Sequence, residues 1–255
     1  HLDRPEAASQ FDHRSGKRCT VCWREFPEPS VMDLSVVICT WNNCKRLAMT
    51  LDATTLCVIP RDVRWELVLV NNQCTDDTDQ VVPRFLQRLP LVYLKEPVLG
   101  LSRARNRGLA AARGRFLVFT DDDVTPCPQW LSAYWLAYQE RPIGYFFGGP
   151  IESEFEGKPP DPALLCLAPR SVKGLNYGAR EKPLDSRSPL IAANWACPVT
   201  MLRQVDGFDV RKDLNAVPGQ VRVGGETQVM RELRQQGWQG WYVPQARLTH
   251  FVPSS

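Results

Sequence analysis

From Met32 onward, short continuous apolar runs alternate with stretches whose apolar residues recur at helical spacing. "LSVVICT" (34 to 40) has the unbroken apolar character of a strand buried on both faces. "NCKRLAMTLDAT" (43 to 54) follows at helical spacing, with Asn42 or Asn43 standing where an N-cap belongs. "WELVLVNN" (65 to 72) predicts the next strand, and "TDDTDQVVPRFLQRL" (75 to 89) a polar turn opening a second helix. "LVYLK" (91 to 95), "LSRARNRGLAAAR" (101 to 113) and "RFLVFT" (115 to 120) then give strand, helix and strand. Repeated units of this kind imply an α/β class: a single Rossmann-like domain whose mostly parallel central sheet is flanked by helices.

Beyond Trp130 the pattern loosens. Residues 156 to 190 hold many Pro and Gly and predict a long irregular segment, a feature that in compact domains is usually functional or mobile. Order returns with "LIAANWACPVTMLRQVDGFD" (190 to 209), a helix in "ETQVMRELRQQG" (226 to 237) and a short strand near "GWYV". Residues 1 to 31 are polar, aperiodic and Pro-rich at their end, so they are expected to lie outside the core as an extension, with one domain over 32–255.

In open parallel sheets a ligand sits beyond the carboxyl ends of the strands. Those ends carry Thr40 and Asn42, then Asn71 and Asn72, then Asp121, Asp122 and Asp123. No Gly-x-Gly-x-x-Gly or Walker-type loop follows the first strand, which reads "TWNNCK" instead. Oxygen-only carboxylate chemistry suits Mg²⁺ or Mn²⁺, and a divalent ion could bind a ligand's diphosphate while offsetting repulsion among the aspartates. The plainer reading of the same triplet is an Asp-rich turn or helix cap. On the preceding helix, Arg105 shares a face with Leu101 and Leu109, which turns it toward the sheet and suits a diphosphate contact. Arg103 and Arg107 fall on another face and read as solvated. Glu226 stands three, four and seven residues before Val229, Met230 and Leu233, at a helix start just after Gly224 and Gly225. It suits a general base near an acceptor, or equally a first-turn Glu favoured by the helix dipole. His250 is either a late metal ligand or an ordinary polar residue.

Composition narrows the classes. The 255 residues carry a net charge of only +3, which argues against a general nucleic-acid binder. No apolar run reaches the ~18 residues of a membrane span, and no signal-peptide pattern opens the chain, so a soluble cytoplasmic protein is expected. Nine cysteines scattered without framework spacing fit reduced thiols, and Cys19 and Cys22 lack the further ligands a structural zinc needs. With histidine only at 1, 13 and 250, a mechanism built on a central His base has almost nothing to use.

In this order, the segments resemble glycosyltransferase family 2, the inverting nucleotide-sugar transferases with a GT-A fold. The likeness runs over about residues 34 to 253. "SVVICTWNN" is similar to the family's opening strand and "LVLVNNQCTDDT" to its Val-Asp-Asn-Gly-Ser-x-Asp-x-Thr segment. "GLSRARNRGLAAARGRFLVFTDDDV" combines its Ala-Arg-Asn-x-Gly helix with its Asp-x-Asp strand end. "NWACPVTMLRQVDGFD" resembles the acceptor-side segment ending in Gly-Phe-Asp, and "GGETQVMRELRQQGW" the segment carrying the catalytic acid. The resemblance implies that Thr40, Asn42 and Asn71 line a nucleotide pocket, that Asp121 and Asp122 approach ribose and sugar, and that Asp123 binds Mn²⁺ or Mg²⁺, with Asp121 and His250 as further ligands. It divides the domain into a nucleotide-binding half, 32–130, and an acceptor-binding half, 131–255. Two positions depart from the family. Asn71 stands where an Asp usually contacts the base, and Thr227 follows Glu226 where a second acid is usual, so the base role falls on Glu226.

The implied reaction moves a sugar from a nucleotide-sugar donor, a UDP-sugar by default, to a saccharide or lipid-linked saccharide acceptor in cell-surface polysaccharide or glycoconjugate synthesis. Peripheral association with the inner face of a membrane is compatible with it. A nucleotidyltransferase is the competing enzyme, although "TWNNCKR" lacks its signature glycines. A non-catalytic nucleotide-sugar or carbohydrate-binding module is the competing non-enzyme.

Overall fold

The computed structural model describes residues 32–185, 188–213 and 225–253, with backbone alone at 212, 213, 225 and 226. The extension at 1–31, with Cys19 and Cys22, lies outside the described residues. The first half forms β1 Leu34–Thr40, α1 Cys44–Thr54, β2 Trp65–Asn72, α2 Thr78–Val81, β3 Leu91–Glu96, α3 Leu101–Ala111 and β4 Phe116–Thr120. The second half adds β5 Val124–Pro126, α4 Trp130–Glu140, β6 Tyr145–Gly148, β7 Ile151–Phe155, α5 Pro162–Leu165, α6 Arg170–Lys173 and β8 Lys182–Leu184. It closes with β9 Trp195–Pro198, α7 Val199–Gln204, α8 Gly225–Gln235, β10 Gln239–Tyr242 and β11 Leu248–Val252.

Eight strands form the central sheet in the order β3-β2-β1-β4-β9-β6-β10-β8. β3, β2, β1 and β4 run parallel, β9 enters antiparallel between β4 and β6, and β10 runs parallel to β6. The expected mostly parallel sheet is therefore present, with β9 and β8 as its reversed strands. β1, β2 and β4 are almost wholly buried, which is why their sequences read as continuous apolar runs rather than as an alternation. A second sheet, β5-β11-β7, stands beside the end of β4 and was not legible in the sequence.

Three elements differ from expectation for physical reasons. The helix expected over 75–89 is one α turn, α2, followed by a 3₁₀ turn at Val82–Phe85, because Pro83 has no amide hydrogen for the helical ladder. The loosened pattern after Trp130 contains α4, "WLSAYWLAYQE", which buries Trp130, Leu131, Tyr134 and Trp135; a helix apolar nearly all round shows little period. The irregular segment 156–190 holds α5, α6 and β8 as short pieces. The described cysteines, 39, 44, 57, 74, 127, 166 and 197, are free thiols. No helix among the described residues is long and apolar enough to cross a membrane.

At the sheet edge opposite the strand ends that carry the polar residues, Glu66 is only 1% exposed. It accepts hydrogen bonds from Ser35 Oγ (2.7 Å), Arg113 N (2.7 Å) and Arg113 Nε (2.8 Å), which joins β1, β2 and the end of α3. Burial alone would raise its pKa, but the Arg113 amide, the Ser35 hydroxyl and the Arg113 guanidinium together hold the carboxyl below its usual range. The sign follows: Glu66 contributes its full stability above about pH 4.3 and loses it as pH falls through the lower folded-state pKa. Glu66→Ala is expected to cost about 2 kcal/mol at neutral pH, the scale of hydrogen bonds to a charged group. Denaturant melts should show that loss at pH 7 and a smaller difference from wild type near pH 3.

Candidate functional site

The polar strand ends meet at one edge of the sheet because β1, β2 and β4 run parallel and in register. Asp121, Asp122 and Asp123 turn out of β4, and α1 clamps that turn. Buried Thr50 sets its hydroxyl 3.0 Å from Asp122 O and 2.8 Å from Val124 O, and accepts Val124 N at 3.0 Å. Asn43 Nδ2 donates to Asp122 Oδ1 at 2.9 Å. Burial pushes the Asp122 pKa up to about 7, reinforced by the charges of Asp123 and Asp121 and opposed by hydrogen bonding from Thr40 and Asn43. The Asn43 side chain therefore serves the aspartates rather than α1. Asn43 is the N-cap residue of α1 as expected, but it makes no side-chain cap bond; Asp76, from the loop after β2, supplies one instead, its Oδ2 accepting Cys44 N at 2.8 Å.

Each outer aspartate faces a cationic or ionisable partner. Arg105 is 5% exposed on α3, inward as its spacing indicated, with Nη2 3.6 Å from Asp121 Oδ1 and its guanidinium 5.5 Å from the centroid of the Phe208 ring. Arg107 is exposed as expected, whereas Arg103 is half-buried rather than fully solvated. His250 Nε2 lies 3.4 Å from Asp123 Oδ2. The second sheet creates that approach: β5 starts at the residue after Asp123 and pairs antiparallel with β11, so His250 registers with Val124 and Phe251 N donates to Asp123 O. Burial pulls the His250 pKa down, but the hydrogen bond and charge of Asp123, with the charges of Asp121 and Asp122, outweigh it and the net shift is upward. Asp123 Oδ1 is buried with no hydrogen-bond partner. Among the described residues no three His, Cys, Asp or Glu side chains converge as a ready-made metal cage; Asp123 and His250 are a pair.

Next to this cluster, Asn42 (φ 51°) and Gln73 (φ 60°) adopt left-handed backbone at the turns after β1 and β2. That conformation costs Asn less than most residues, and Asn42 Oδ1 accepts Thr75 N at 2.7 Å, binding the two turns together. Thr40 Oγ1 is buried near Asp122 with no hydrogen bond of good geometry. Asn71 is committed within the protein. Its Nδ2 donates to Tyr93 Oη (2.7 Å) and more weakly to Asp79 Oδ1 (3.3 Å), and its Oδ1 accepts Cys74 N (2.7 Å). The structure thus gathers Thr40, Asn42, Asn71, Arg105, Asp121, Asp122, Asp123 and His250 at one edge. Glu226 occupies the first turn of α8, whose Val229, Met230 and Leu233 are buried as the spacing required; its side chain is outside the described residues.

Two asparagines that lie in the quoted motifs but were given no role there, Asn106 and Asn194, tie distant segments together. Asn106 on α3 donates to Phe208 O and accepts Phe208 N, both at 2.8 Å. Gly207 makes this possible: it has φ 73°, and a Cβ there would meet Asn106 Oδ1 at 2.5 Å. Asn194, fully buried before β9, accepts from Trp130 Nε1 (2.8 Å) and Tyr134 Oη (2.7 Å) and donates to Pro150 O (2.9 Å) and Ala246 O (2.8 Å). A buried polar network of this kind is visible only once the fold is known.

Comparison with known proteins fits the geometry. Solved structures share the architecture: S. aureus TarS 1–349 in complex with UDP matches at TM-score 0.66 and 17% identity over 88% of this chain and 61% of that one. The mannosyltransferase PcManGT from Pyrobaculum calidifontis, in complex with GDP-Man and Mn²⁺, matches at TM-score 0.60 and 21% identity over 87% of this chain and 57% of that one. The fold is GT-A. The family model of glycosyl transferase family 2 matches residues 35–197, and the chain belongs to that family. The pre-mycofactocin glycosyltransferase of Mycobacterium tuberculosis is 31% identical over 201 residues, 71% of this chain and 36% of the relative. The chondroitin synthase of Escherichia coli is 31% identical over 103 residues, 40% of this chain and 15% of the relative. The chain therefore spans well under half the length of either curated relative.

Asn194→Leu is expected to leave two donors and two carbonyls without partners, each such group costing about 1–3 kcal/mol. The sum is expected to exceed about 3 kcal/mol, read as a fall in urea midpoint at unchanged slope; a loss within experimental error would show that the network contributes nothing.

Proposed function

We propose that this chain transfers a glycosyl group, with inversion, from a nucleotide-sugar donor to an acceptor hydroxyl, using Mn²⁺ or Mg²⁺. One observation carries the reading: the Asp123 carboxylate, at the end of a buried strand and facing His250, keeps one buried oxygen with no protein partner. An orphaned buried carboxylate oxygen is costly unless a ligand completes it. Carboxylate oxygen and imidazole nitrogen suit Mn²⁺, carboxylate also suits Mg²⁺, and a two-residue hold leaves room for diphosphate oxygens. Asp123 and His250 would hold the ion, with Asp121 beside them. When bound it would neutralise the departing nucleoside diphosphate.

The chain's own residues supply the remainder. Arg105, fixed between Asp121 and Phe208, presents positive charge where the diphosphate would lie. Thr40, Asn42 and Asn71 would form the nucleotide wall, with Asn71 acting mainly through the orientation of Tyr93 and Asp79. Glu226 would accept the proton of the attacking hydroxyl as that oxygen bonds to the anomeric carbon and the carbon–phosphate oxygen bond breaks. Residues 32–130 would serve the donor and 131–255 the acceptor. A UDP-sugar is the donor we favour, because the TarS complex contains UDP, while the GDP-Man of PcManGT makes guanine the alternative. A saccharide or glycoconjugate acceptor is the reading that the likeness to chondroitin synthase supports.

Asp123→Ala is expected to abolish metal-dependent release of nucleoside diphosphate from the donor and to remove the effect of EDTA on UDP affinity; metal-independent UDP binding by the wild type would refute the assignment. Glu226→Gln is expected to keep donor affinity and lower transfer by roughly a hundredfold, the usual scale for a lost general base. Near-normal transfer by that variant would remove Glu226 from the mechanism.

A further inference from the structure

Two cations approach the Tyr177 ring on the acceptor side, and a third, Arg234, lies over Phe146 nearby. Arg170 donates to Tyr177 Oη at 2.7 Å and lies 6.0 Å from the ring centroid; Lys182 Nζ lies 5.8 Å from the same centroid. Arg234 donates to Ser188 O at 3.0 Å, next to Pro189, whose carbonyl accepts the Tyr177 hydroxyl at 2.7 Å. Burial raises the Tyr177 pKa, and the charges of Arg170 and Arg234 oppose that rise. Asp185 offsets charge on the Arg234 side. Among the described residues, neither Arg170 nor Lys182 forms an ion pair. Residues 158–182 carry five Lys or Arg against two Asp or Glu, a local excess equal to the +3 of the whole chain.

Topology puts this cluster at the site's rim. Lys182 registers with Tyr242, the last residue of β10, and the Tyr177 ring meets the Tyr242 ring edge-on at 5.4 Å. β10 runs parallel to β6, β6 antiparallel to β9, and β9 antiparallel to β4. β10 therefore ends at the same sheet edge as β4, where Asp121 to Asp123 emerge. Arg170 and Lys182 share the Tyr177 ring with no carboxylate ion-paired to either among the described residues, so the two charges repel each other and an incoming oxyanion relieves that repulsion.

We propose that Arg170 and Lys182, seated on Tyr177, form a subsite for an oxyanion group, phosphate or carboxylate, carried by the acceptor. The acceptor part of this statement rests on the glycosyltransferase reading. Arg170, half-buried and already oriented by Tyr177, supplies the directional contact; exposed Lys182 supplies a point charge. The negative charge of such an acceptor is then sorted from neutral saccharides on the side of the site away from the donor diphosphate.

The test is a phosphorus-NMR titration of inorganic phosphate against the full chain saturated with UDP, with acetate titrated in parallel by protein chemical shift. Phosphate is expected to bind in the presence of UDP, and Arg170→Gln and Lys182→Gln are each expected to weaken it about fivefold, the scale of a partly exposed ion pair. Arg84→Gln, a distant exposed cation, is expected to change nothing, and thermal melts of all variants check folding. Loss of phosphate binding on adding UDP, equal binding by wild type and the two site variants, or an equal loss in Arg84→Gln would each overturn the subsite while leaving the donor reading intact. Failure of UDP itself to bind would overturn both. The same ranking with acetate assigns carboxylate-bearing acceptors as well; its absence restricts the subsite to phosphate.

Discussion

Mutual repulsion among three consecutive carboxylates at the end of a buried strand is the constraint around which the site is built. Each aspartate is answered from a different element: Arg105 on α3 for Asp121, Asn43 beside α1 for Asp122, His250 on β11 for Asp123. Thr50 fixes the backbone between them. The compensation is incomplete at one atom, Asp123 Oδ1, which is buried without a hydrogen-bond partner and is the feature on which the proposed metal site rests.

The remainder of the fold keeps those answers in position. α3 is tied to the segment after α7 by Asn106 and Phe208, so Arg105 cannot shift without moving the Gly-Phe-Asp turn. Asn194 fastens α4, the β6–β7 connection and the approach to β11, and through β11 it bears on His250. The parallel strands β1 to β4 and the mixed strands that follow them are thereby held to one geometry.

The parallel half was legible because strands buried on both faces leave continuous apolar runs, and the residues that end them stand out as polar. Arg105 was legible for the same reason, its spacing from Leu101 and Leu109 marking an inward face. The second sheet was not, since β5, β7 and β11 are short and only partly buried, and nothing local says that His250 will register with Val124. α4 escaped because it is apolar on almost every face. Asp76 capping α1 and Asn194 joining four partners are contacts between residues far apart in the chain, which no local pattern encodes. Glu226 was approached through the stripe of Val229, Met230 and Leu233, a backbone argument that does not reach its carboxylate.

The antiparallel insertion of β9 has a consequence for synthesis. β6 is complete at Gly148, yet it cannot join β4, because the strand that separates them begins only at Trp195. A chain emerging from the ribosome can pair β1, β2, β3 and β4 through local crossovers, but the free edge of β4, with Phe116 and Phe119 on it, must wait for residues far downstream. The parallel strands are thus available to the nascent chain well before the strands that cover the β4 edge, and that interval exposes the edge to intermolecular strand pairing.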